Sequence, residues 1–349
     1  MSASWPVLYA LLAIYRFLYT VLAEVLVSRL TQLGDAHQYQ DGTFIPGLVG
    51  LLWNTALNKN IGAVFYLMTG GSAIGVSLLF CALGTIGLII FLRALPHDDR
   101  KIAFLIFLMP SVTIWSSIAS KEAVLMLVWG IILSYLANYV RGEARLRWYH
   151  GAAVFILWIY KAQYLVPLSF LFAGLYVWKR TNTPATLVLI GSAASLVPLI
   201  IFANTIDELS FIVMRHFLVA DGSIRDPFWV DQYDVFLKAP YGMALAFFGP
   251  TITEASEKPI MLMSFVESLV LVGIVTLILL YRIPRMSAYA FILILFTLFW
   301  LMFVNYPFSV QNAGSAIRYR TNYLMLLFFV LLVVPRLTAW QRHRIMNAL

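Results

Sequence analysis

Apolar residues fall in blocks near the length of helix needed to cross a bilayer, and basic or aromatic connections separate them. The blocks predict about ten helices, over 7–28, 72–92, 102–118, 123–140, 151–160, 165–178, 185–203, 260–280, 287–304 and 321–335. The fifth and sixth are short, and Tyr160-Lys161-Ala162-Gln163-Tyr164 interrupts them. The pattern predicts an all-α polytopic transmembrane bundle, with 1–349 as a single transmembrane domain. Two connections are too long to be simple turns. The first, 31–71, carries the apolar patches 44–53 and 61–66, too short to span and too apolar for water, so they are expected as interfacial helices. The second, 204–259, mixes aromatics with acids and breakers such as Asp226-Pro227 and Gly249-Pro250, and unstructured loops of this length commonly serve as lids or binding segments.

Composition supports the class: 62% of the 349 residues are hydrophobic and 11% charged. Alternating the connections between two sides collects Arg93/Arg100/Lys101, Arg141/Arg145/Arg147, Lys179/Arg180, Arg282/Arg285 and Arg336/Arg342/Arg344 on one face, with the acids Asp98, Asp99 and Glu143. The excess of basic residues makes that face cytoplasmic and puts both termini there. The net charge of +8 then reflects topology, which argues against nucleic acid as a partner. The single cysteine, Cys81, rules out an intrachain disulfide and a cysteine metal site. Met1–Pro6 lacks Lys and Arg, and no small-residue cleavage site clearly follows the first block, so that block is expected to stay in the mature chain.

Ionisable residues are costly in lipid and mark candidate sites. Asp35 ends the first span, in Gly34-Asp35-Ala36-His37-Gln38-Tyr39. Its carboxylate can orient or deprotonate a hydroxyl, or hold a divalent cation, with Asp41 and His37 near enough in sequence to share the task. The plain reading of all three is an acidic turn that caps a helix. In the segment 110–122, Lys121 can meet a phosphate as a point charge, with Glu122 pairing elsewhere because adjacent helical residues diverge. The plain reading there is a solvated turn. Lys161, between two half-length blocks, is a second phosphate candidate or a snorkelling anchor. Arg318 and Arg320, just before the last block, can offer forked donors to a phosphate or diphosphate, and only one need face inward. Arg16, Glu24 and Glu267 lie within spans, where a structural pair such as Arg16 with Glu267 competes with a proton path.

The GDAHQY segment with interfacial helices after it resembles the first external loop of GT-C membrane glycosyltransferases. PSVTIWSSIASKEA, the broken span at Lys161, the loop ending in Gly249-Pro250, and NAGSAIRYR resemble a group of bacterial integral membrane proteins of exopolysaccharide and O-antigen clusters. The resemblance covers most of the chain through short motifs. It implies a glycosyltransferase in the bacterial cytoplasmic membrane, acting at its outer face on a polyprenyl-phosphate- or diphosphate-linked sugar. A glycan or glycolipid would be the acceptor, with membrane lipid around the site and no cofactor beyond an optional divalent cation. Asp35, Asp41 and Glu122 would be catalytic, and His37, Tyr39, Lys121, Lys161, Arg318 and Arg320 would bind substrate. Departures are Ala36 where many such enzymes have a second acid, and Lys161-Ala162 where the polysaccharide group often has Arg-Pro. The alternatives are an O-antigen-type polymerase and a lipid-linked sugar transporter or flippase.

Overall fold

The computed structural model describes residues 4–30, 33–181, 183–218, 223–257 and 259–337. The regular structure of the described residues is all helical, apart from one isolated bridge between Ile224 and Asn312. Among the described residues, eight helical runs are long and apolar enough to cross a membrane: Trp5–Val27, Ala73–Ala94, Lys121–Arg141, Trp148–Arg180, Pro184–Ile201, Met261–Arg285, Ala288–Phe308 and Ala313–Arg336. The chain is therefore a multi-pass helical membrane protein. It divides into two compact units, 1–139 with 143–162 and 140–142 with 163–349.

The first unit holds α1 (Trp5–Leu22), a π-helical turn (Ala23–Val27), α2 (Ser28–Leu30), α3 (Ala36–Tyr39), α4 (Gly47–Leu52), α5 (Asn54–Met68), α6 (Ala73–Ala94), α7 (His97–Ile106), α8 (Pro110–Trp115), nearly all of α9 (Lys121–Arg141) and α10 (Trp148–Lys161). Ser72 opens α6 by accepting the Gly75 N–H at 3.1 Å. α6 and α9 cross closely because Gly87 and Gly130 meet: a Cβ on Gly130 would lie 2.2 Å from the Gly87 carbonyl oxygen. Small residues at such a crossing let backbones approach, which is how helices gain contact in lipid.

The expected span 102–118 is two short helices. Pro110 supplies no N–H and cannot continue α7, so it opens α8 after the break at 107–109. The whole segment nevertheless follows α1. The Trp5 ring meets His97 at 5.8 Å and Phe104 at 6.4 Å, and the Tyr15 hydroxyl donates to the Leu108 carbonyl at 2.6 Å. Farther along, Arg16 donates to the Ser116 carbonyl at 2.7 Å and Thr20 to that of Ser117 at 3.5 Å.

The second unit holds α11 (Leu165–Arg180), α12 (Pro184–Ile201), α13 (Ala203–Leu218), α14 (Asp234–Leu237), α15 (Ala239–Phe248), α16 (Ile252–Glu257), α17 (Pro259–Arg282), α18 (Ala288–Asn305) and α19 (Ala313–Val333). α11 runs antiparallel to α18: the Tyr164 hydroxyl donates to Asn305 Oδ1 at 2.6 Å and that of Tyr289 to the Gly174 carbonyl at 2.5 Å. Among the candidate spans, the one holding α19 is the most buried and α12 the least. The long connection expected as a loop is mostly helical among its described residues and shares a core with the end of α18. Trp229, 1% exposed, packs edge-on against Tyr306, whose hydroxyl donates to the Val235 carbonyl. The short spans expected on either side of Lys161 join through a single 3-10 turn, Ala162–Tyr164, into one helical run. No Gly or Pro stands between Tyr160 and Tyr164 to stop it.

Candidate functional site

In the first unit the turn after α1 is framed by Gly34 and Gly42, both at positive φ. Asp35 precedes α3 and is half-buried, and the Tyr39 hydroxyl donates to its Oδ2 at 3.4 Å. The exposed Asp41 accepts the Thr43 N–H at 2.8 Å, a local turn bond that matches its plain reading, and His37 is also exposed. α3 lies directly on α5, because Gly62 leaves room for the Tyr39 carbonyl, 2.0 Å from where a Cβ would stand. One scaffold thus carries the Asp35 turn and the polar face of α5.

Beneath the turn, the π-helical widening of α1 holds Glu24. Its Oε1 accepts from Ser77 at 2.6 Å and from Gln40 Nε2 at 2.8 Å, while Ser77 Oγ accepts the Ala119 N–H at 3.0 Å. Ala119 belongs to the irregular stretch between α8 and α9, so this network ties that break to the Asp35 turn.

α9 opens at Lys121, whose ammonium donates to Thr55 Oγ1 at 2.8 Å and Asn54 Oδ1 at 3.1 Å. A lysine there opposes the helix dipole, and the polar face of α5 holds it in place. Ser120 caps the same end by accepting the Ala123 N–H at 3.1 Å. Glu122 is 1% exposed and close enough to Tyr160 to act on it electrostatically. The Tyr160 hydroxyl donates to Asn58 Oδ1 at 3.0 Å, and Asn58, fully buried, has no acceptor for its Nδ2 among the described residues. Lys161 follows at the end of α10, half-buried. A lysine and a helix N-terminus side by side make a place for an anion, and buried amide and phenol groups there can position a polar ligand.

Asn54, Thr55, Asn58 and Tyr160 were absent from the sequence candidates. Their signal is the polar run Asn54-Thr55 with Asn58 one turn on, inside an apolar segment.

The in-span charges are placed differently from the expected Arg16–Glu267 pair. Arg16, fully buried, donates through Nε to Thr85 Oγ1 at 2.9 Å and through its fork to the Ser116 hydroxyl at 3.0 Å and carbonyl at 2.7 Å. It thereby caps the carbonyl end of α8 where the helix breaks. In the second unit Glu267 pairs with Arg320, NH2 to Oε2 at 3.5 Å, and Arg320 NH1 donates to Ser268 Oγ at 2.5 Å. Arg320 is 1% exposed, so its guanidinium lies inside its unit. Arg318 is half-buried, with its guanidinium 6.0 Å from the Tyr319 ring centre.

The stretch 309–314, which leads into α19, is also a docking strip for 223–228. Arg225 pairs with Glu254 through two bonds, Nε to Oε1 at 2.5 Å and NH2 to Oε2 at 3.0 Å, and donates to the Val310 carbonyl at 2.7 Å. Gln311, fully buried, accepts the Phe228 N–H at 3.1 Å and donates to the Arg225 carbonyl. Burial alone would raise the Glu254 pKa, but the bonds and charge of Arg225, with the Thr251 N–H and hydroxyl, hold it below the usual carboxylate range.

Among the described residues, no three His, Cys, Asp or Glu side chains converge to hold a metal ion. Comparisons with family models, curated proteins and solved structures found no match.

Proposed function

We propose that the protein is a membrane glycosyltransferase that takes its sugar from a polyprenyl phosphate or diphosphate at the outer face of a bacterial cytoplasmic membrane. The observation that carries this reading is the Lys121 cluster: a cation held by Asn54 and Thr55 at the mouth of α9, beside the buried Glu122 and the Asn58–Tyr160 pair. The carrier's phosphate sits against Lys121 and the α9 N-terminus, with Lys161 as a further cation. Asp35 takes the proton of the acceptor hydroxyl as its oxygen bonds to the anomeric carbon. The bond from that carbon to the phosphate oxygen breaks, and the phosphate leaves as an anion that needs charge stabilisation more than a proton. Arg320 is left out of this site because Glu267 and Ser268 engage its fork.

The topology belongs to the same reading. The ten-crossing count, with both termini cytoplasmic, requires 97–119 to cross, which its course along α1 supports, and the Trp148–Arg180 run to reverse at Ala162–Tyr164. Arg342 and Arg344, part of the basic face, lie outside the described residues. Interfacial placement of α4 and α5 is supported by their outward apolar residues, Leu48 and Trp53 among them.

A second reading, transport of a lipid-linked sugar, is favoured by the buried charges within spans, Arg16 and the Arg320–Glu267 pair. Purified protein in vesicles, given a polyprenyl-phosphate sugar and an acceptor, separates the two. A new glycosidic product that disappears in Lys121→Ala supports transfer, and donor crossing the bilayer without product refutes it. In a deletion strain, an unmodified lipid-linked precursor fits a transferase, whereas single complete repeats would point to a polymerase.

A further inference from the structure

In the second unit, Ser315, Arg318, Tyr319 and Asn322 recur at the spacing of one face of α19, and Met325 and Leu326 follow them one turn on. The first three are half-buried, and Phe217 of α13 stands edge-on to Tyr319 at 6.1 Å. Asn322 is 1% exposed, and Met325 and Leu326 are fully buried. A polar line thus runs inward from the N-terminal end of α19 and stops on an apolar floor.

Asn322 is the inner end of that line. Neither its Nδ2 nor its Oδ1 has a hydrogen-bond partner among the described residues, and the hydroxyls of Thr321 and Tyr323 on either side have none. An amide carries two donors and an acceptor, and hydrocarbon satisfies none of them. Buried polar groups are hydrogen-bonded in proteins, so Asn322 has polar company that the described residues do not supply. The charge at this depth is already matched, because Glu267 and Ser268 engage the Arg320 fork. What meets the amide is therefore neutral: water, or the hydroxyl of a ligand.

We infer that this face of α19 lines a water-filled crevice, and that Asn322 at its inner end binds an uncharged, hydroxyl-bearing ligand group. The site lies in the second unit and does not depend on the transferase reading.

The test is cysteine alkylation of the full chain, with Cys81→Ser, in phosphatidylcholine nanodiscs by iodoacetamide, which is small, neutral and water-soluble. Asn322 and Leu324 are equally buried, at 1% and 0% exposed, but point to opposite sides of α19. Asn322→Cys should be alkylated and Leu324→Cys should not. Ser315→Cys leaves Asn322 in place and reports occupancy. Its alkylation should slow with octyl glucoside below the micellar concentration, whose head is an uncharged polyol, and not with octyl phosphocholine. Adding Asn322→Leu should abolish that protection. The chain without substitutions guards against a folding defect: hydroxyl radicals should oxidise Met325, beneath Asn322, and spare Met126, which is as buried at 1%. Alkylation of both cysteines, or of neither with Met325 spared as well, overturns the crevice. Protection by both amphiphiles alike, or by neither, overturns the ligand assignment.

Discussion

Glu267→Leu should destabilise the protein far more than the double variant Glu267→Leu/Arg320→Met. The two side chains are 7% and 1% exposed and meet at 3.5 Å. At an effective dielectric of about 20, unit charges at that distance attract by about 5 kcal/mol, and removing one member of a buried pair costs about 3–5 kcal/mol because the other stays charged and desolvated. Replacing both by apolar residues of similar size removes the attraction and the desolvation penalty together, so the double variant should lie within about 1 kcal/mol of the parent. The readout is the fraction remaining monodisperse in detergent after a graded heat step. Glycan production at matched protein levels is measured in parallel. The reasoning fails if Glu267→Leu alone matches the parent, or if the double variant is as unstable as the sum of the singles. The glycan arm addresses the role of Arg320: a stable double variant that makes no glycan would return it to the phosphate site.

Asp35→Asn should reduce transfer by at least about a hundredfold, as loss of a positioned general base does, while Asp41→Ala, which removes only a turn bond, should keep most of it; both are read in the vesicle assay. Lys121→Ala should raise KM for the lipid donor and lower kcat, and an unchanged donor KM would remove Lys121 from the phosphate site. Gly130→Leu should abolish the monodisperse protein, because its Cβ would meet the Gly87 carbonyl at 2.2 Å, with no flexible side chain to give way. The Arg225–Glu254 latch should loosen in acid. Glu254's folded pKa is depressed, so its stabilising effect is present above the ordinary carboxylate value near 4.3 and is lost as pH falls through the lower folded value. Protection factors in 223–228, with the intrinsic pH dependence of amide exchange divided out, should fall in that window and be independent of pH in Glu254→Gln.

The helices that apolar blocks predicted best are those whose ends carry local signals. The block 72–92 became Ala73–Ala94 behind the Ser72 cap, and 287–304 became Ala288–Asn305 behind Ser287, which accepts the Ala290 N–H at 3.3 Å. Hydropathy is blind to breaks within apolar sequence, so 102–118 read as one helix although Pro110 restarts it. It is equally misled by a polar residue in a good helix former's position: Lys161 looked like an interruption, yet Lys, Ala and Gln all favour helix. For the candidate site, an ionisable residue in apolar surroundings singles out Asp35, Lys121 and Glu122 as candidates, because the cost in lipid is a property of each residue alone. Their partners are not such a property. Tyr160 finds Asn58 across 102 positions, and Ser77 finds Ala119 across 42. Arg318 and Arg320 differ by two positions, which on a helix separates their directions by about 200°. Chemistry alone made them equal candidates; the packing of α17 against α19 drew Arg320 inward to Glu267 and left Arg318 half-buried.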